Sequence, residues 1–159
     1  MRGLVVAAVV GLTGCGSVAP RRASETAWRA GAASAAGEPD PPPTARGSAV
    51  VEFASEQVGR RYCWGGTGPY CFDCSGLVQR AWGSVGVHLP RTAGAMSSAL
   101  DEVPLDHVRP GDVLWWPGHV GIYAGRGWMV DAEDTRHGVV LRRPTREPHR
   151  ALRPPLEPR

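Results

Sequence analysis

With 159 residues, 42% of them apolar, the chain has room for one domain and flanking tails, and enough apolar surface for a single core. The net charge of +3 is mild, and no basic stripe interleaved with aromatics is present, which argues against nucleic-acid binding. Neither lysine nor asparagine occurs, so asparagine cannot be the orienting group of a catalytic triad.

Residues 1–14 have the form of an export signal: Arg2, an apolar run from Leu4 to Leu12, then Thr13-Gly14-Cys15. The run is well short of the roughly 20 residues that a membrane-spanning helix needs. The pattern resembles a bacterial lipoprotein signal. That implies cleavage before Cys15, lipidation of this cysteine and an extracytoplasmic protein anchored to the membrane, an ordinary secreted protein being the alternative. Residues 15–47 are rich in Ala, Gly, Pro, Ser and Arg without apolar periodicity, and are expected to form a disordered tether. Export changes the meaning of the remaining cysteines, because idle thiols in an oxidising compartment tend to pair. Cys63, Cys71 and Cys74 are an odd set, which leaves one thiol over as a nucleophile candidate.

The folded part is expected over 48–153, with 154–159 as a disordered tail. Val50, Phe53, Ala54, Gln57 and Val58 fall at helical spacing, with Ser48 as N-cap and Gly59 as stop. A glycine-rich loop, Tyr62 to Tyr70, precedes the clearest helix, whose Leu77, Val78, Ala81, Trp82 and Val85 share one face. Asp73 is its expected N-cap, which puts Cys74 in the first turn. A short helix over Thr92–Leu100 follows, then a strand over Asp112–Trp116. A hairpin runs from His119–Tyr123 back through Gly127–Ala132, and a last strand covers Val139–Arg142. Beyond Arg143 the chain reads as frayed, with Ala151–Arg153 as a candidate edge strand. Helices first and antiparallel strands after them define an α+β layout.

A thiol in a first helical turn is well placed for chemistry, since the helix dipole and free amides favour a thiolate and can hold an oxyanion. Asp73 opposes this as a neighbouring negative charge, so a cationic histidine has to outweigh it. Of five histidines, His119 stands apart. It opens an apolar strand, and Gly118 before it leaves room for another chain or a substrate. A three-residue hairpin connection, Ala124 to Arg126, would set Asp131 directly opposite His119 as the orienting group, whereas a two-residue turn would pair His119 with Ala132 and turn Asp131 away; Glu133, Asp134 and His137 are fallbacks. A disulfide between Cys63 and Cys71 would close the loop beside the nucleophile. The alternatives are two free thiols, or a zinc site from Cys63, Cys71, Cys74 and His119.

YCWGGTGPYCFDCSGLVQRAW, LPRT and RPGDVLWWPGHVGIYAGRGWMVDA together resemble the NlpC family of papain-like cell-wall cysteine peptidases over residues 49–143. The resemblance implies a small papain-like fold, with N-terminal helices packed on an antiparallel sheet and the nucleophile at a helix N-terminus. It implies Cys74, His119 and Asp131 as catalytic residues. Tyr62, Trp64, Asp73, Ser75 and Gly118 are the expected substrate-binding positions. The implied substrate is the peptidoglycan stem peptide, cut between D-glutamate and diaminopimelate by a monomer that needs no cofactor. The alternatives are an amidase or acyltransferase on the same fold, or a non-catalytic wall-binding lipoprotein. Three features depart from the family pattern: the third position is most often histidine, Met96 stands where glutamine is common, and Cys63 and Cys71 are additions.

Overall fold

The computed structural model describes residues 40–155. The export signal, Cys15, the tether up to residue 39 and the last four residues lie outside the described residues. Helix α1 spans Ala45–Glu56 and is capped by Thr44, whose hydroxyl accepts from the Gly47 amide at 3.0 Å. The helix thus begins before Ser48, and Val58 is an exposed residue beyond it rather than part of its buried face. A two-residue parallel pair, β1 (Arg61–Tyr62) and β2 (Cys71–Phe72), brackets the glycine-rich loop. Helix α2 runs Cys74–Gly83 and α3 runs Ala93–Ala99, capped by Asp73 and Thr92 respectively.

Six strands form one antiparallel sheet in the order β3-β8-β4-β5-β6-β7. They are β3 (Asp101–Val103), β4 (Val113–Trp116), β5 (His119–Gly125), β6 (Trp128–Ala132), β7 (Val139–Arg142) and β8 (Arg150–Arg153). One expectation is corrected here. The C-terminal stretch is not a frayed tail with an edge strand: β8 lies inside the sheet, paired on both sides, and the edge is β3. Polar composition hid it, because the arginines that flank Ala151 and Leu152 have work of their own. Arg153 makes a two-pronged ion pair with the buried Asp112, at 3.0 and 2.7 Å.

Strand alternation sorts the side chains into two layers. Val113, Val120, Ile122, Val130 and Leu152 face the helices and meet Val50, Ala54, Leu77, Val78, Ala81 and Trp82 in the main core. Leu114, Trp116, Tyr123, Met129 and Ala151 form a smaller cluster on the other face. Trp82 ties the layers together by donating from Nε1 to the Gly111 carbonyl at 3.2 Å.

Candidate active site

The start of α2 is organised by Asp73. Its Oδ1 accepts from the Gly76 amide at 2.6 Å and its Oδ2 from the Gly65 amide at 2.9 Å, so one carboxylate caps the helix and pins the glycine-rich loop against it. Arg91 completes the arrangement, donating to both carboxylate oxygens at 3.0 and 2.6 Å and to the Ser75 hydroxyl at 3.0 Å. Burial alone would raise the Asp73 carboxyl, but the Arg91 bond and the two amides outweigh it and hold it below the usual range. The negative charge beside Cys74 is therefore matched by a guanidinium. Sequence reasoning did not single out Arg91, although it sits in the LPRT stretch that helps carry the family resemblance.

Cys74 is the first residue of α2, half-buried, and the one free cysteine among the described residues. Cys63 and Cys71 form a disulfide with Cα atoms 5.7 Å apart, which removes two of the three thiols that a zinc site would need. Tyr62, beside them, has its phenol raised by burial and by the neighbouring Cys74 and Asp73. Trp64 projects almost wholly into solvent, at 91% exposure. Gly118 adopts φ +80°, and a side chain there would meet nothing within 4 Å.

His119, the first residue of β5, carries an Asp131 carboxylate oxygen 2.7 Å from its Nε2 and lies close enough to Cys74 for that side chain to act on its charge. Burial works against charge on the ring, but the bond to Asp131, the nearby Cys74 and the charges of both win, pushing the imidazole up to about 9. Asp131 is fully buried, and Arg142 grips it with two bonds, Nε to Oδ1 at 3.1 Å and Nη2 to Oδ2 at 2.7 Å. His137, a fallback for the orienting role, instead bonds Asp134 at 3.0 Å and is half-exposed.

The route by which Asp131 reaches His119 differs from the expected one. The hairpin turns at Arg126-Gly127, with Gly125 opposite Trp128 and a register shift at Ala124. Continuing the Ile122–Val130 pairing sets Asp131 opposite Gly121 rather than His119. A slip of two residues keeps the same face, so the carboxylate still meets the ring, but on the diagonal. Gly121 makes the diagonal passable, since a Cβ there would lie 3.0 Å from Asp131 Cβ.

A half-buried thiol at a helix start, packed by helices against an antiparallel sheet whose first hairpin strand opens with histidine, is the layout of the papain-like α+β fold. The NlpC/P60 family model matches residues 59–151, and the chain belongs to that family. Among curated relatives it is 38% identical over 91 residues to a probable endopeptidase p60 of Listeria innocua, covering 54% of this chain and 20% of that protein. To a probable endopeptidase of Mycobacterium tuberculosis it is 43% identical over 98 residues, covering 60% of this chain and 25% of the other. The shared region is thus a quarter or less of those relatives' length. Among solved structures, the NlpC/p60 domain of the peptidoglycan hydrolase SagA aligns with TM-score 0.63 and 30% identity, over 67% of this chain and 97% of that one. The peptidoglycan hydrolase RipB of Mycobacterium tuberculosis aligns with TM-score 0.59 and 31% identity, over 68% and 64%.

Proposed function

We propose that this protein is a cysteine endopeptidase that hydrolyses peptidoglycan stem peptides, at the bond between D-glutamate and diaminopimelate. Cys74 is the nucleophile, His119 the general acid and base, and Asp131 the group that orients the ring. The observation that carries this reading is the His119 ring, hydrogen-bonded to a buried carboxylate and raised by the nearby side chain of Cys74, a thiol at a helix start. The similarity to probable endopeptidases and to peptidoglycan hydrolases supports the substrate class.

In the first step the Cys74 sulfur attacks the amide carbon and the carbonyl oxygen takes up negative charge. The Asp73 cap occupies the Gly76 amide, which leaves the earlier first-turn amides to stabilise that charge. Collapse breaks the carbon–nitrogen bond, and the His119 proton goes to the departing amine. His119 then takes a proton from water as it attacks the thioester, and the acid product and the thiol are released. Cys74→Ala should reduce hydrolysis of purified muropeptides by at least about 1,000-fold while leaving the melting temperature within a few degrees. Mass spectrometry of the new termini identifies the bond. Full activity in Cys74→Ala would end the cysteine-peptidase reading, and intact substrate with the wild-type protein would end the choice of substrate.

A further inference from the structure

The proton that His119 delivers has to land on the leaving nitrogen, so the leaving half of a substrate lies on the His119 side of Cys74. On that side the outer face of the sheet holds a cavity of about 350 Å³, lined by Trp116, His119, Met129, Glu133, Arg142 and Arg146 among others. Trp116 serves two purposes there. Its ring centroid lies 6.0 Å from that of His119, and its Nε1 donates to the Glu147 carbonyl at 2.8 Å, fastening the β7–β8 loop that carries Arg146.

The charged groups of this lining are not equivalent. Arg142 is committed to Asp131 and lies 3.5 Å from Glu133, and Glu133 is in turn 3.5 Å from His137. Arg146 makes no hydrogen bond or ion pair with any described residue. The cavity therefore offers one uncommitted guanidinium, whose planar fork suits a carboxylate.

We infer that this cavity receives the residue released on the amine side of the cut, and that Arg146 recognises a free carboxylate on it. The inference rests on the peptidase reading above, and it assigns to the β7–β8 loop a specificity that the Cys74–His119 pair cannot provide. A leaving residue with its carboxylates amidated keeps its shape but loses the charge-assisted bond, so affinity should discriminate between the two forms.

The test separates binding from turnover. Cys74→Ala protein is titrated calorimetrically, at low ionic strength, with L-alanyl-γ-D-glutamyl-diaminopimelate and with the same tripeptide amidated on diaminopimelate. The acid form should bind about 10-fold more tightly. Adding Arg146→Gln should abolish that preference by weakening the acid form alone. Adding Arg136→Gln, an exposed arginine of the β6–β7 turn, controls for net charge and should leave the preference intact. Equal affinity for the two peptides, a preference that survives Arg146→Gln, or no binding of either would overturn the inference. Wild-type turnover is measured in parallel, and failure to cleave either peptide counts against the peptidase reading instead.

Discussion

The His119 imidazole is held from two sides, and the balance there sets a pH window. Burial disfavours its charge, while the bond to Asp131 and the nearby Cys74 favour it strongly enough to move the ring from its ordinary 6.5 to about 9. A raised histidine contributes stability that is fully present below about 6.5 and is lost as pH rises through about 9. In the proposed mechanism the same proton goes to the leaving amine, so activity should fall on the alkaline side near pH 9. Asp131→Asn keeps the shape and removes the charge. It should cost at least about 10-fold in turnover and move the alkaline limb to lower pH. Asp134→Asn, which alters an exposed carboxylate bonded to His137, should do neither. Equal responses from the two variants, read from pH–rate profiles, would reduce Asp131 to a packing role.

At the level of elements, the hairpin shows how far sequence patterning reaches. Alternation of apolar and small residues places His119 and Asp131 on one face of their strands, and that survives any even shift of register. The turn itself was misplaced: Gly125-Arg126-Gly127 offers several pairings, and the shift at Ala124 is not encoded in any residue preference that local reasoning can detect. The helix start was legible because Asp73 is a strong cap immediately before an apolar face. Arg91 and Arg142 were not, since both act over long sequence separations on carboxylates whose burial only the fold reveals. The corrected register makes Gly121 the spacer of the site. An added methyl would press on Asp131 Cβ at 3.0 Å and on Met129 Sδ at 3.2 Å. Gly121→Ala should therefore lower kcat by about 10-fold or more through displacement of Asp131. Gly94→Ala in α3, where a side chain would meet nothing within 4 Å, should leave kcat unchanged. Normal kcat in Gly121→Ala would mean that Asp131 tolerates the displacement.

Across the whole molecule, the domain is fastened further upstream than composition suggests. The stretch before Ser48 is proline-rich and lacks apolar periodicity, which is why it reads as linker. Its contribution is polar and steric instead. The Asp40 carboxylate accepts from the Tyr123 hydroxyl at 2.9 Å and from the Arg126 amide, tying the chain to the β5–β6 hairpin that carries His119 and Asp131. Thr44 caps α1, and Gly47 packs so closely on Pro110 and Gly111 that a methyl on Gly111 would lie 2.6 Å from Gly47 Cα. A protein beginning at Ser48 loses the cap, the hairpin tie and this packing together. A cap is worth about 1 kcal/mol and a partly buried hydrogen bond about as much, so the loss should reach about 2 kcal/mol. For a domain of this size that corresponds to a fall in melting temperature of roughly 5–10 °C relative to a protein beginning at Asp40. Asp40→Ala in the full chain isolates the hairpin tie and should account for up to half of the fall. If the Ser48 protein melted at the same temperature as the Asp40 protein, residues 40–47 would be linker after all.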